Sequence, residues 1–196
     1  MNTDRIAEHP IDALFLERWS PRAFDASVMP VSDLMTILEA ARWAPSAFNI
    51  QPWRFLYSQR DDACWQEFLS LLDAFNAGWA QHASALVIVV SDTMTPGDGG
   101  RPQTPSRSHS FDAGAAWAQL ALQAASLGYQ AHAMAGMDFE QAQEKLGIPG
   151  HFRVEIAIAL GTSTDPSVLP PELQEREQAS PRQPLKEISF AGHFQP

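Results

Sequence analysis

The chain has 196 residues, of which 45% are apolar and 18% are charged, and its formal net charge is −10. These values suit one globular domain with a sizeable core, or such a domain with a long arm, and they argue against a basic surface for nucleic acid or an anionic membrane. A single cysteine, Cys64, excludes an intrachain disulfide and a thiolate metal cluster.

Hydrophobic periodicity predicts a mixture of helices and strands before residue 165. The helices are expected at 9–18, 32–43, 61–75, 111–127 and 138–147. The strands are expected at 53–58, 86–90, 129–135 and 154–160. Strand 86–90 is wholly apolar, so we expect it to be buried on both faces. Helices and strands do not alternate strictly, and this pattern is typical of an α+β fold.

Two of the predicted helices have boundaries that depend on single residues. Asp112 is expected to cap the helix at 111–127, which carries small residues on nearly every side and is therefore predicted to be buried. Asn76 and Gly78 are expected to break the helix at 61–75.

Two stretches lack clear periodicity. Residues 92–110 are rich in Pro, Gly, Ser and Thr, which predicts a long irregular loop. Such a loop is either a mobile surface segment or a lid over a site, and the sequence favours neither. We expect residues 1–164 to form the core and residues 165–196 to form an arm of the same domain. The arm is rich in proline, and it is either disordered or docked on its own body or a second copy. Large apolar residues favour docking: Leu185, Ile188, Phe190 and Phe194.

Several common functional motifs are absent. The chain has no dinucleotide fingerprint, no P-loop, no His-Glu-x-x-His helix and no Gly-x-Ser-x-Gly elbow, and no metal site is predicted. His109 and His132 lie near the candidate site, although each is more readily a packed or surface histidine than a functional one. The start of the chain lacks an apolar signal core, and the run at 86–90 is too short to span a bilayer, so we expect a cytoplasmic protein.

The stretch 44–53, Ala-Pro-Ser-Ala-Phe-Asn-Ile-Gln-Pro-Trp, follows a predicted helix and precedes a predicted strand. Its two prolines bias the residues before them towards extended geometry. Ser46, Asn49 and Gln51 carry polar tips between apolar residues, so the loop could recognise the polar edge of a planar heteroaromatic ligand. The alternative is a turn closed by local hydrogen bonds from Ser and Asn side chains.

A second motif lies upstream, Arg18-Trp19-Ser20-Pro21-Arg22-Ala23-Phe24. Together the two motifs resemble the FMN-dependent nitroreductase family, whose members typically open with Arg-x-Ser-x-Arg/Lys-x-Phe and continue to Pro-Ser-x-x-Asn-x-Gln-Pro-Trp. The resemblance extends from residue 18 to residue 182. It implies a nitroreductase-like α+β fold with a central mixed or antiparallel sheet flanked by helices. It also implies an intertwined homodimer with FMN at the subunit interface and a C-terminal arm that wraps the partner subunit.

FMN makes three demands that the residues could meet. Its phosphate needs arginine forks and hydroxyl or backbone donors, its ring needs a flat apolar slot, and its N5 and N1–O2 edges need donors. Arg18, Ser20 and Arg22 could bind the phosphate, and the loop at 44–53 could form the slot for the ring. The backbone around Gly136 could supply donors to the N5 edge, because glycine permits close approach. The two arginines could equally solvate a helix end, and Gly136 could be a turn glycine.

The resemblance assigns roles to twelve residues, and no side chain is assigned a catalytic role. The opening motif matches the residues that hold the FMN phosphate and pyrimidine edge, Arg18, Trp19, Ser20 and Arg22. The loop matches the residues that the partner subunit lays against the ring, Pro45, Ser46, Ala47 and Asn49. Asn76 matches an asparagine near the flavin, Ala135 and Gly136 match backbone donors at N5, and Arg182 matches an arginine that returns to the phosphate.

Three residues depart from the family pattern. Trp79 stands where some members have a lysine near N1–O2, Ser180 where some have a second phosphate cation, and Ala135 where certain members have a glutamate. Arg22 is a candidate to balance the charge at N1–O2. The departures leave the nicotinamide and substrate preferences open.

The implied function is FMN-dependent hydride transfer from NADH or NADPH, through flavin N5, to nitroaromatic or quinone-type small molecules by a ping-pong mechanism. One alternative is a flavoenzyme of the same fold with specialised chemistry, such as dehalogenation or flavin breakdown. A second is a flavin-binding protein without turnover, and a third is a helical interaction protein with no cofactor.

Overall fold

The computed structural model describes residues 5–97 and 102–194. Its α-helices are α1 (Leu14–Glu17), α2 (Val31–Arg42), α3 (Trp65–Ser70), α4 (Ala74–Ala80), α5 (His109–Ser126), α6 (Phe139–Lys145), α7 (Pro171–Gln174) and α8 (Leu185–Ile188). Its strands are β1 (Trp53–Gln59), β2 (Ala85–Asp92), β3 (Met94–Thr95), β4 (Thr104–Pro105), β5 (Gln130–Met134) and β6 (Phe152–Gly161). Two 3₁₀ turns cover Ala47–Asn49 and Pro166–Val168.

The main sheet has four strands in the order β1-β2-β6-β5, and each neighbouring pair is antiparallel. A register shift between Val89 and Val90 interrupts the pairing of β2 with β6. Strand β2 lies in the middle of the sheet, and its residues are buried up to Ser91. The prediction of a strand buried on both faces is therefore confirmed, as is the α+β fold.

A separate hydrophobic core lies on each face of the sheet, because alternate residues of a strand point to opposite faces. Leu86, Ile88 and Val90 belong to the core that includes residues of α3, α4 and α6. Val87 and Val89 belong to the core that includes residues of α2 and α5. Helix α5 contributes one buried stripe to this second core, so it is less completely buried than its composition predicts.

Two of the predicted helices differ markedly in extent from the structure. The helix at 9–18 is reduced to α1 and has no buried residue, so its apolar stripe is not held by packing. The helix at 61–75 is divided into α3 and α4, because the Asp73 N–H donates to the Gly136 carbonyl and its carboxylate caps α4. Asn76 and Gly78 consequently lie inside α4 rather than ending a helix.

The predicted loop at 92–110 contains the small hairpin of β3 and β4, and its residues 98–101 lie outside the described part of the chain. Helix α5 begins at His109 with Ser108 as its N-cap residue. Asp112 therefore lies within the first turn of α5, and the prediction that it caps the helix is wrong by one turn.

The segment after residue 164 first packs on the core and then leaves it. Leu169 and Leu173 are buried in the core that contains α3, α4 and α6. Helix α8 has no buried residue, and its Leu185 and Ile188 are exposed. No helix of the described residues is long and apolar enough to cross a membrane.

Candidate functional site

The opening motif forms a loop that strand β5 holds in place. Arg18 is the C-cap residue of α1, where its N–H donates to the Leu14 carbonyl. The Gln130 side chain accepts a hydrogen bond from the Trp19 N–H at 3.4 Å. The His132 Nδ1 lies 2.8 Å from the Pro21 carbonyl oxygen, so the ring donates through Nδ1. Strand β5 therefore fixes a loop that lies more than a hundred residues away in sequence.

This loop forms part of a polar cavity of about 290 Å³, which we call the arginine cavity. Its walls come from the N-terminal segment, the opening motif, β5 and the segment after α7. The lining residues are Arg5, Arg18, Trp19, Ser20, Arg22, His132, Arg176, Gln178, Ser180 and Arg182. The structure thus brings five of the predicted cofactor-binding residues together, and no Asp or Glu is among the described lining residues.

The arginine cavity concentrates positive charge in an acidic protein. The pKa of Arg18 is lowered from its usual value by burial and then by the Arg5 and Arg182 guanidinium groups. Arg5 also has a lowered pKa, through burial and Arg182. Close like charges of this kind favour a bound anion, because the anion relieves the repulsion. Arg18 and Arg182, distant in sequence, thus line the same cavity.

Arg22 has an acidic partner that the sequence did not reveal. Glu177 Oε1 accepts hydrogen bonds from the Arg22 N–H at 2.5 Å and the Ala23 N–H at 2.8 Å. Its Oε2 lies 3.7 Å from Arg22 Nη1. The positive charge of Arg22 is therefore partly compensated by the protein itself.

Two further residues line the cavity: Arg5, which was missed from the sequence, and His132, which was expected to be more readily packed than functional. Arg5 donates through Nη1 to the carbonyl oxygens of Leu16 and Arg18, and it lies in a polar N-terminal stretch without a motif. His132 points into the cavity, where burial and then Arg22 lower its pKa to about 4 despite its hydrogen bonds to backbone carbonyls. It is therefore a neutral hydrogen-bonding group near pH 7.

Trp79 is a core residue next to this cavity. It is 1% exposed, and its ring centroid lies 4.7 Å from that of His132 and 6.2 Å from that of Phe24. Among the described residues its Nε1 has no hydrogen-bond partner. An uncharged ring therefore packs against His132 at the position that the resemblance matches to a lysine in some members.

A second cavity, of about 480 Å³ and lined mainly by apolar residues, shares Arg18, Ser20 and His132 with the arginine cavity. Its remaining walls come from α1, α5 and β5: Phe15, Trp117, Ala118, Ala121, Leu122 and Ala133. A cluster of cations thus borders an apolar slot, and this combination suits a ligand with a phosphate at one end and a planar ring at the other.

The loop around Pro45 forms a separate group, and none of its four predicted residues lines the arginine cavity of the same chain. Ser46 Oγ accepts a hydrogen bond from the Gln51 N–H at 2.9 Å, so local bonds do close the turn. The Ala47 N–H donates to Asp112 of α5 at 3.2 Å. Phe48 has a φ value of 51°, which is strained for a bulky residue, and Asn49, a residue type that tolerates this region, has a φ value of 56°.

The strained loop projects an aromatic ring into solvent, because Phe48 is 98% exposed. Strain of this kind persists only where surrounding contacts determine the backbone, and it is concentrated at functional sites. Pro45, Ser46, Ala47 and Asn49 therefore lie in a loop that a bond to Asp112 ties to α5 and that leaves the Phe48 ring exposed.

Asn76 and Gly136 form a third group, at the start of α4 and the end of β5. Asn76 Nδ2 donates to the Gly136 carbonyl oxygen at 3.0 Å. A Cβ on Gly136 would lie 2.1 Å from Asp73 Oδ2 and 2.3 Å from Asn76 Nδ2, so glycine permits the close approach of α4. The sequence did not predict this contact between Asn76 and Gly136, and the side of Gly136 that lacks a side chain faces α4.

The family is defined by comparison with known proteins. The model of the nitroreductase family matches residues 16–162, which is more than half of the chain. The chain therefore belongs to the nitroreductase family, and it is an oxidoreductase of that class. The four-stranded antiparallel sheet between two helical layers is the fold expected from the resemblance.

Individual relatives support this assignment. A solved structure described as an oxidoreductase containing FMN is 51% identical, with a TM-score of 0.96 over 100% of this chain and 98% of that one. The uncharacterized 15.4 kDa protein in the ask 5' region of Mycolicibacterium smegmatis is 33% identical over 72% of this chain and 97% of that protein. The NADH dehydrogenase of Thermus thermophilus is 30% identical over 74% of this chain and 83% of that protein.

Proposed function

We propose that the protein is an FMN-dependent oxidoreductase that takes electrons from NADH or NADPH and passes them to nitroaromatic or quinone-type small molecules. The observation that carries the proposal is the arginine cavity, in which the two ends of the chain supply guanidinium groups beside an apolar slot. The similarity to a protein described as containing FMN supports the choice of ligand.

The residues present fit FMN. The crowded guanidinium groups of Arg5, Arg18 and Arg182 favour a phosphate dianion, and the Ser20 hydroxyl adds a donor. Trp19 and Arg22 lie in the same loop, and the neighbouring apolar slot suits an isoalloxazine ring. When bound, FMN would supply two-electron chemistry by exchanging hydride at N5, near the backbone of Ala135 and Gly136.

We also propose that the working unit is a homodimer. The side chains of Phe48 and Phe111 are exposed, as are Leu185 and Ile188 of the arm. The strained loop at 45–49 lies apart from the arginine cavity of its own chain, so a partner subunit is the natural source of the loop that faces the ring. In this arrangement residues 165–196 are an arm of a single domain that packs on the partner, with residues 1–164 as the core. A cytoplasmic location stays a prediction from the sequence.

The proposal is tested with the full-length protein as purified. We expect an absorption spectrum with flavin bands, and FMN released on denaturation at one molecule per chain. Anaerobic addition of NADH or NADPH should bleach the flavin bands, and a nitroarene or quinone should restore them. Because both substrates use one slot in turn, steady-state double-reciprocal plots should give parallel lines.

Each failure supports a different alternative. Protein that binds no FMN would refute the proposal. Bound FMN that neither nicotinamide bleaches would favour a flavin-binding protein without turnover. Bleaching without turnover of nitroarenes or quinones would favour a specialised flavoenzyme, for example one for dehalogenation or flavin breakdown.

A further inference from the structure

Glu177 links the segment after α7 to the arginine cavity. Its backbone N–H donates to the Gln174 carbonyl, and Leu173, four residues earlier, is buried in the core. The Glu177 side chain is 1% exposed, whereas Glu175, two residues away, is exposed. A carboxylate this deeply buried is costly unless hydrogen bonds and an opposite charge compensate it.

The two oxygens of Glu177 make different contacts. Oε1 accepts from the backbone N–H groups of Arg22 and Ala23, which fixes the loop that carries Ser20. Oε2 lies 3.7 Å from Arg22 Nη1, and in the described residues neither Oε2 nor Arg22 Nε has a hydrogen-bond partner. One oxygen therefore shapes the loop, and the other acts on the charge of Arg22.

We infer that Glu177 is a positioning residue with two opposed effects on phosphate binding: it holds the loop of the opening motif in its binding shape, and it restrains the charge of Arg22. The first effect strengthens binding, because the Ser20 hydroxyl and the backbone donors of the loop stay in place. The second weakens it, because one of the guanidinium groups around the cavity is partly neutralised. The inference rests on the proposed function in that FMN is its natural ligand.

Two substitutions separate these effects. Glu177→Gln keeps a carbonyl oxygen that can accept both N–H bonds, but it removes the charge and so releases Arg22 towards the cavity. Glu177→Ala removes both the acceptor and the charge. Glu175→Gln is the matched control, because it makes the same change of charge two residues away on an exposed side chain.

The dissociation constants of FMN and of inorganic phosphate are measured for the full-length protein freed of flavin, at low and at high salt. We expect Glu177→Gln to bind both probes about two- to tenfold more tightly than the wild type at low salt, with a steeper dependence on salt. Glu177→Ala should bind both more weakly than Glu177→Gln, and Glu175→Gln should match the wild type. Melting temperatures of the ligand-free variants separate loss of fold from loss of binding.

The results distinguish this inference from the proposed function. If Glu177→Gln binds phosphate no more tightly than the wild type while it melts at the same temperature, the inference is wrong. If wild-type protein binds inorganic phosphate but not FMN, the proposed function fails. The inference can still be tested in that case, because the dissociation constants of phosphate for Glu177→Gln and for the wild type can be compared. A Glu175→Gln variant that binds as tightly as Glu177→Gln would also overturn it, because a general charge effect would then suffice.

Discussion

Simultaneous replacement of Arg18 and Arg182 by alanine is the most direct test of the arginine cavity. A hydrogen bond to a charged group contributes about 1.5–3 kcal/mol. Arg18 is half-buried, whereas Arg182 is exposed and already bonds the Ser180 and Pro181 carbonyls, so the lower part of that range applies to it. The two arginines should therefore contribute about 3–4 kcal/mol to the free energy of FMN binding. Their removal should lower the affinity for FMN on the order of 100- to 1,000-fold.

The same variant should not lose stability without ligand. Burial and the neighbouring Arg5 and Arg182 lower the pKa of Arg18, so the folded state disfavours its charge. Its one described side-chain hydrogen bond, to Ser20 Oγ, is long at 3.4 Å. We therefore expect the melting temperature of the flavin-free variant to equal or exceed that of flavin-free wild type.

The assay is a fluorescence titration of flavin-free protein with FMN, paired with thermal unfolding. An Arg42→Ala/Lys145→Ala variant is the control, because it removes two cations that do not line the cavity; Arg42 pairs with Glu39 and Lys145 bonds Ser70. Both variants lower the net charge by two. The reasoning fails if Arg18→Ala/Arg182→Ala binds FMN with the affinity of the wild type, or if the control loses as much affinity.

Three further outcomes follow from single residues. Because the pKa of His132 is lowered to about 4, the folded state binds its proton less readily than the unfolded state, and up to about 3 kcal/mol of stability should be lost as pH falls from about 6.5 to about 4. Urea unfolding at several pH values measures this loss, and a His132→Gln variant with the same pH dependence as wild type would contradict it. Asp112→Ala removes the acceptor for the Ala47 N–H and should cost about 1–3 kcal/mol of unfolding free energy; an unchanged urea midpoint would exclude this role. Ile188→Asp should shift the protein towards monomer in light scattering, whereas Val28→Asp, at another exposed apolar residue, should not; a dimer unaffected by Ile188→Asp would argue against docking of the arm on a partner.

The layers of the fold could be predicted because burial determines where apolar residues occur in the sequence. Strand β2 is apolar from Ala85 to Val90, where both of its faces are covered, and this apolar run located the strand to within two residues at each end. The division between α3 and α4 could not be predicted in the same way. It depends on the bond between the Asp73 N–H and the Gly136 carbonyl, which joins residues far apart in sequence, and a local pattern does not record such a contact.

The candidate site shows the same contrast. Arg18, Ser20 and Arg22 stand in one motif, and the resemblance to a family supplied Arg182, so these lining residues of the cavity could be predicted from the sequence. Glu177 has no motif, because its role comes from burial beneath a loop that precedes it by more than 150 residues. Sequence patterns identify donors for an anion more readily than the groups that hold those donors in place.

The balance of charge in the arginine cavity explains why these positioning groups matter. Burial and then mutual repulsion lower the pKa of Arg18 and of Arg5, so the charged forms of these side chains are unfavourable in the ligand-free fold. A phosphate would relieve that repulsion in addition to making its own hydrogen bonds, and binding would therefore stabilise the fold by linkage. Glu177 limits the repulsion among the cavity's cations because it partly compensates the charge of Arg22. His132 is neutral near pH 7 and therefore adds no further positive charge. Under the proposed function, this balance would let the cavity stay folded without its ligand and still favour a dianion.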